Sequence, residues 1–150
     1  MEIQIKHYSQ LNIDELYSIL QLRCAVFVVE QDCPYLDLDN LDQDAYHLMV
    51  KQDQKLLGVV RILKPGIVYQ EPAIGRVASR EDSRHLKLGH LMVKAANDYC
   101  DETWPEQGIR LSAQSHLMGF YEKHGYVSTG KSYLEDGIPH DEMLKSPENQ

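Results

Sequence analysis

A short apolar run, a charged turn and a long amphipathic segment follow one another between Ile74 and Tyr99. The run 74–79 predicts a β-strand, and 80–84 predicts a turn. From Leu88 onward the apolar residues recur at helical spacing and share one helix face: Leu88, Leu91, Met92, Ala95, Ala96 and Tyr99. The stretch therefore predicts a strand, a turn and a helix in succession.

The start of the predicted helix is a candidate anion-binding site. Its first backbone N–H groups have no partner within the helix, and the helix dipole favours negative charge at that end. Arg84 and Lys87 add positive charge there, although the chain as a whole has a formal net charge of −8. We interpret this segment as a binding site for a phosphate-bearing ligand.

Composition excludes several classes of protein. A chain of 150 residues with 43% hydrophobic and 25% charged residues is typical of a single globular domain, here 1–150. The negative net charge disfavours a nucleic-acid partner, and no apolar run approaches the roughly 20 residues that span a membrane. Three cysteines and an N-terminus without a signal-peptide pattern indicate no disulfide framework or zinc site, and predict a cytoplasmic protein.

Hydrophobic patterning predicts an α/β (α+β) chain with the order β-α-β-β-β-α-β-α-β-β. Asn12 or Asp14 is expected to cap the first helix, and Pro34 to end it. Cys24 is expected to pack on that helix. The remaining strands are predicted over 46–50, 55–63, 74–79, 109–113, 126–133 and 140–144, and 67–69 is predicted to begin the strand that continues at 74–79. Helices are predicted from Leu88 and over 115–124. Gly125 is the expected stop of the last helix, and the polar tail 146–150 is expected to fray.

The segment 35–44 forms an acidic loop. As a calcium-binding EF-hand loop starting at Asp37 it fails, because Leu41, Asp42 and Leu48 occupy positions that require a ligand, a glycine and a glutamate. We therefore expect a solvated loop bordering a substrate site, where its carboxylates attract a cationic acceptor. A metal-binding module is the less favoured alternative.

Two motifs resemble those of the GNAT acetyltransferase superfamily. The segment Arg84–Gly89 is similar to its acyl-CoA pyrophosphate loop, R-x-x-G-x-G/A, with His85 and Lys87 where glycines are usual. The segment 120–126, FYEKHGY, is similar to its F-Y-x-x-x-G-F signature. Three further segments, 22–39, 74–77 and 135–143, resemble the ElaA-like branch of that superfamily, and the likeness extends over about residues 2–144.

This resemblance implies a fold and a reaction. The fold is the GNAT acyl-CoA N-acyltransferase fold, a central mixed and mostly antiparallel sheet of about seven strands flanked by helices. The reaction is transfer of an acetyl group from acetyl-CoA, without a metal, to a small-molecule or peptide acceptor, for which we expect a primary amine. The resemblance also allows a homodimer. The alternative is a non-catalytic acyl-CoA-binding or regulatory module on the same fold.

The resemblance also implies roles for individual residues. The pyrophosphate would lie on the backbone of Arg84, His85, Leu86, Lys87, Leu88 and Gly89. Pantetheine would lie along Val77, Ala78 and Ser79, with Gln114 as a further contact. Tyr121 is the candidate general acid, because a phenol stays protonated at neutral pH. The base stays open among His116, His140, Glu30 and His47, a water-relayed base or none. Arg76, set among apolar neighbours, is expected to be ion-paired.

Overall fold

Seven strands form one mixed sheet in the computed structural model, which describes residues 1–147, and their order is β1-β2-β3-β4-β5-β7-β6. The strands are β1 Glu2–His7, β2 Tyr46–Gln52, β3 Lys55–Leu63, β4 Ala73–Ser79, β5 Ile109–Gln114, β6 Tyr126–Glu135 and β7 Ile138–Lys145. The helices are α1 Ile13–Arg23, α2 Leu88–Thr103 and α3 Met118–Glu122. The predicted fold class and element order are confirmed.

The first of two compact units comprises Met1–Ile62 and Arg76–Val93. In it β1 pairs with β2 and β2 with β3, both antiparallel. Asn12 caps α1: the Glu15 N–H donates to Asn12 Oδ1 at 2.7 Å, and the Asn12 N–H donates to Glu15 Oε1 at 3.0 Å. The buried core of this unit includes Ile19, Leu22, Val26, Met49, Val59 and Ala78.

The second unit comprises Leu63–Gly75 and the chain from Lys94 onward. Here β5 and β6 each pair antiparallel with β7, while Ala73 of β4 lies opposite Arg110 in a parallel pairing with β5. Burial alternates strictly along β5, as its sequence predicts. Buried apolar residues from these elements and α2 include Ala96, Cys100, Ile109, Leu111, Ala113, Tyr126 and Met143.

Two helix predictions need correction. The first helix does not continue regularly to Pro34: α1 ends at Arg23, and a π-helical segment follows over Cys24–Glu30. The wider π turn changes which residues share a face, so Val29 is 73% exposed and Cys24 is also exposed. The predicted helix 115–124 is a 3₁₀ turn, Ser115–Leu117, followed by the short α3, and Gly125 does end it at a φ of 91°.

Three smaller predictions also differ from the structure. The predicted strand at 67–69 is absent, because Gly66 and Tyr69 close a local turn in which the Gly66 N–H donates to the Tyr69 carbonyl at 2.8 Å. The turn predicted at 80–84 is a 3₁₀ helix over Glu81–Leu86. On α2 the buried face is rotated from the predicted one: Leu91 is 41% exposed, whereas Val93 is fully buried.

No helix within 1–147 is long and apolar enough to cross a membrane. The tail that we expected to fray lies, from residue 148 onward, outside the described residues.

Candidate functional site

The predicted phosphate loop is an exposed connection between β4 and α2 in the first unit. Residues 84–87 are all exposed, and Leu88, the first residue of α2, is buried. Lys87 adopts the left-handed conformation with φ 54° and ψ 43°, and its N–H donates to the Arg84 carbonyl at 3.1 Å. This conformation favours glycine, the residue usual at this position of the motif. The backbone therefore makes a glycine-type turn although lysine occupies the position.

Arg84 binds Glu30, so two predicted site residues are in direct contact. Its Nη1 donates to Glu30 Oε2 at 2.7 Å and its Nη2 to Oε1 at 2.8 Å. A further bond runs from Nη2 to the Ser79 carbonyl at 3.2 Å. The Glu30 carboxylate raises the pKa of Arg84. The π-helical segment and the predicted phosphate loop are thus joined by a half-exposed ion pair.

The three residues proposed along the cofactor, Val77 to Ser79, form the second half of β4. Ala78 is buried in the core of the first unit, while Val77 and Ser79 are partly exposed. The Arg80 N–H donates to the Leu57 carbonyl at 2.8 Å, which fastens the end of β4 to β3. The segment thus combines a fixed side-chain anchor with backbone groups near the surface.

The acidic loop is not the solvated loop that we expected. Asp37 and Asp42 are buried, at 4% and 6% exposure, and both bind Arg23, which is itself 1% exposed. Arg23 Nε donates to Asp37 Oδ2 at 2.8 Å and Nη1 donates to Asp42 Oδ1 at 2.7 Å. The prediction failed because Asp37, Asp39 and Asp42 each have a cation from elsewhere in the chain, and sequence spacing does not show such pairs. The carboxylates of Asp37 and Asp42 carry no free charge with which to attract a cationic substrate.

Two more arginines complete this buried network. Arg61 donates to both carboxylate oxygens of Asp39 at 2.8 Å and to Asp42 at 3.0 Å. Arg76 binds Asp37, which confirms the expected pairing of that arginine. Burial alone would raise the pKa of Asp39, but the bonds and charge of Arg61 hold it at about 2. The loop is therefore fixed by three arginines from separate elements.

Tyr121 lies in α3, within the second unit. It is 8% exposed, and its ring packs edge to face against Tyr126 with centroids 6.0 Å apart. Burial raises the pKa of its phenol to about 12. The group is therefore neutral at physiological pH, as a proton donor must be, but it is a weaker acid than a free tyrosine.

The second unit also contains both candidate histidines and Gln114. His140 is 8% exposed, and its Nδ1 lies 2.7 Å from the Ile138 carbonyl. Because a carbonyl only accepts, Nδ1 donates. Nε2 lies 3.3 Å from Glu135 Oε2. His116 is exposed in the 3₁₀ turn, and Gln114 is partly exposed at the end of β5.

One polar cluster of the second unit escaped the sequence analysis. Arg110 donates to both carboxylate oxygens of Glu71, at 2.9 and 2.8 Å, and to Glu142 Oε2 at 2.9 Å. Its guanidinium also lies 5.9 Å from the centroid of the Tyr69 ring. The alternation of β5 shows that Arg110 leaves the core face, but nothing local indicates its partners 32 to 39 residues away.

The described residues hold no group of three or more His, Cys, Asp or Glu side chains arranged to bind a metal. The predicted site residues fall into two sets, each described within its own unit. Glu30, Val77 to Ser79 and the phosphate loop belong to the first unit, and the other four to the second: Gln114, His116, Tyr121 and His140.

Comparisons with known proteins agree with the fold. The model of the acetyltransferase (GNAT) domain matches residues 6–147. Protein ElaA of Escherichia coli is 40% identical over 97% of this chain and 96% of its own length, and its crystal structure superposes with a TM-score of 0.90, covering 97% and 99% of the two chains. An acyl-CoA N-acyltransferase from Pseudomonas aeruginosa is 40% identical, with a TM-score of 0.92 over 97% of this chain and 100% of that one. The chain therefore belongs to the GNAT acetyltransferase family and, within it, to the ElaA-like branch.

Proposed function

We propose that this chain is a single-domain N-acetyltransferase that moves the acetyl group of acetyl-CoA to a primary amine by direct attack in a ternary complex. The observation that carries the proposal is the left-handed backbone of Lys87, with φ 54° and ψ 43°. The turn of the family's pyrophosphate loop is formed here without the glycine that usually permits it. A glycine-type backbone at the glycine position of the motif supports a phosphate-binding role for this loop.

The charges of the loop support an anionic ligand. Lys87 immediately precedes the 16-residue helix α2, and Arg84 lies in the 3₁₀ helix before it, in a chain whose net charge is −8. We propose that the pyrophosphate binds the backbone N–H groups between Arg84 and Gly89 and takes the Arg84 guanidinium from Glu30. In the unliganded protein the Glu30 carboxylate would then bind the guanidinium that the phosphate binds in the complex.

The proposed reaction is direct attack of the amine on the thioester, with one proton donor and one base. The amine nitrogen attacks the thioester carbonyl carbon, the C–S bond breaks, and backbone N–H groups among Val77 to Ser79 stabilise the charge on oxygen. The thiolate leaves and takes a proton from the Tyr121 hydroxyl. The nitrogen loses its proton to a base, for which we propose His140: its Nδ1–H is fixed by the Ile138 carbonyl, Nε2 takes up the proton, and the new Nε2–H donates to Glu135 Oε2, 3.3 Å away. Cys24 and Cys100 carry unoxidised thiols, which supports a reducing cytoplasm as the compartment.

A non-catalytic acyl-CoA-binding module is the second candidate, and one observation favours it. Burial raises the pKa of Tyr121 to about 12. Proton transfer to a thiolate with a pKa near ~8.5 is then uphill by roughly 3 to 4 units. A protein that only binds the cofactor would not encounter this barrier.

One pair of measurements separates the two candidates. Calorimetry with acetyl-CoA, CoA and calcium chloride tests binding, and free-thiol release in the presence of polyamines, amino acids and peptides tests transfer. We expect micromolar to millimolar binding of acetyl-CoA, no heat from calcium, and amine-dependent thiol release. Binding without thiol release from any amine would support the binding module, and absence of acetyl-CoA binding would refute both.

A further inference from the structure

Arg76 is a backbone outlier inside a β-strand. It lies in the middle of β4 with a φ of 50°, a left-handed conformation that residues with large side chains rarely adopt. Burial does not alternate along β4, because Ala73 and Ile74 are both buried whereas Gly75, Arg76 and Val77 are all partly exposed. A left-handed residue of this kind bends a strand and turns its neighbouring peptide groups, as in a β-bulge.

The side chain of Arg76 is gripped by the acidic loop. Its Nε donates to Asp37 Oδ1 at 2.7 Å, and its Nη2 donates to the Asp37 carbonyl at 3.0 Å. A longer contact of 3.4 Å joins Nη2 to Asp39 Oδ2. Arg76 is thus held by both the side chain and the backbone of one residue, which fixes the direction as well as the distance of the guanidinium.

Asp37 is itself immobilised, so it can act as an anchor. It is 4% exposed, and it accepts from Arg23 Nε at 2.8 Å and from the Tyr35 hydroxyl at 2.7 Å. Arg23 is fully buried in turn and also holds Asp42. Tyr35, Asp37 and Arg23 therefore form a rigid support on which the Arg76 side chain rests.

We propose that Arg76 is a positioning residue for acyl transfer: its grip on Asp37 holds the backbone of β4 left-handed and thereby sets the direction of the Val77 N–H. This inference rests on the proposed function, which assigns backbone N–H groups of Val77 to Ser79 to the thioester oxygen. The torsions of residue 76 orient the peptide group between residues 76 and 77, so the link from guanidinium to N–H runs through the chain itself.

The same geometry gives the buried acidic loop a role. Its run of acids in the sequence predicted attraction of a substrate, whereas Asp37 and Asp39 bind Arg76 of β4 within the protein. Donors to a developing oxyanion need close alignment, since loss of one donor typically lowers kcat by about 10²–10³ and small displacements also reduce the rate strongly. Loss of the bonds between Arg76 and Asp37 should therefore reduce kcat by about 10- to 100-fold, a smaller effect than complete removal of an oxyanion donor.

Matched variants separate positioning from general stability. Arg76→Lys keeps a positive charge but loses the two-pronged grip on Asp37, and Arg76→Gly accepts a positive φ without any grip. Arg61→Lys is the control: Arg61 belongs to the same ion network, binding Asp39 and Asp42, but it lies on β3 and not on the strained segment. Each variant is compared by thermal unfolding before its kinetics are measured.

The test combines amide NMR, an acetyl-CoA titration and steady-state kinetics with a good amine acceptor. In the parent, acetyl-CoA should shift the amide resonances of Val77 to Ser79; absence of those shifts would refute the proposed function itself. With the shifts present, Arg76→Lys and Arg76→Gly should move the Val77 amide resonance of the free protein and lower kcat at least tenfold, with the KM for acetyl-CoA changed less than threefold. The inference fails if kcat of both variants stays within twofold of the parent, or if Arg61→Lys lowers kcat equally.

Discussion

Arg84 donates two hydrogen bonds to the carboxylate of Glu30, from Nη1 at 2.7 Å and from Nη2 at 2.8 Å. Arg84 is the residue proposed to bind the phosphate, and Glu30 is a candidate base. In this ion pair Glu30 occupies the guanidinium that the phosphate would bind, and Arg84 occupies the carboxylate that a base would need. If acetyl-CoA binds Arg84, its phosphates must compete with Glu30.

We therefore predict that Glu30→Gln binds acetyl-CoA more tightly than the parent. A half-exposed ion pair is worth about 0.2–1 kcal/mol, so the affinity should rise by at most about fivefold, with kcat unchanged. Calorimetry gives the affinity, and Glu81→Gln is the control, because it removes one exposed charge near Arg84 without a direct bond. A large fall in kcat for Glu30→Gln would instead identify Glu30 as the base.

The second prediction concerns the left-handed turn at Lys87. A left-handed conformation costs an ordinary residue about 1–2 kcal/mol, and glycine avoids that cost but loses about 0.5–1 kcal/mol more entropy on folding. Lys87→Gly should thus leave the stability unchanged or raise it by up to ~1 kcal/mol, whereas Lys87→Val should lower it. Denaturant unfolding measures both. Equal stability of the Gly and Val variants would show that the left-handed turn is not maintained in solution.

The third prediction is a loss of stability in mild acid caused by His47. The ring is 2% exposed, burial lowers its pKa, and its Nε2 donates to the Asp42 carbonyl at 3.0 Å. Because the folded pKa is below the unfolded value near ~6.5, the unfolded chain takes up the proton first. Stability should be constant above about pH 7 and fall as the pH drops below the unfolded pKa.

The control for this effect is His47→Gln, which can still donate to the Asp42 carbonyl. Its stability should change little between pH 7 and 5, a window above the titration of Asp39 and Glu15, whose pKa values are held at about 2. Urea unfolding at half-unit pH intervals gives the comparison. An identical pH profile in parent and variant would assign the loss to other groups.

Local patterns predicted most of the fold. The strands predicted at 46–50, 55–63 and 109–113 and the helix cap predicted at Asn12 or Asp14 depend on neighbours within a few residues. The structure has all three strands, and Asn12 is the cap. The π-helical segment was not predicted, because Val26 and Val29 satisfy ordinary helical spacing and only packing rotates Val29 to the surface.

The candidate site shows the same division. The phosphate loop was predicted as a segment, but the pair Arg84 and Glu30 joins residues 54 apart in sequence. The sequence led us to interpret the acidic loop as free negative charge. The fold brings Arg23, Arg61 and Arg76 to its carboxylates, and their positions in the sequence do not indicate this. Ion pairs between distant elements carry no local signal, whereas backbone motifs do.

The last prediction concerns Tyr121, on which the enzymatic proposal depends most. Tyr121→Phe keeps the ring and its edge-to-face packing on Tyr126 and deletes only the hydroxyl. As the proton donor to the departing sulfur, the hydroxyl should contribute about 10²–10⁴-fold to kcat. The raised pKa of about 12 weakens it as an acid, and water can replace part of its effect, so we expect a loss near the lower end of that range.

Tyr126→Phe is the matched control for that loss. Its hydroxyl donates to Asn97 Oδ1 at 2.7 Å in the same unit, and the residue is 1% exposed, so deletion of the hydroxyl should lower stability with little effect on kcat. Stopped-flow measurement of a single turnover with a good amine acceptor isolates the chemical step from product release. If Tyr121→Phe transfers acetyl as fast as Tyr126→Phe under those conditions, the thiolate leaves without help from Tyr121, and its proton comes from water.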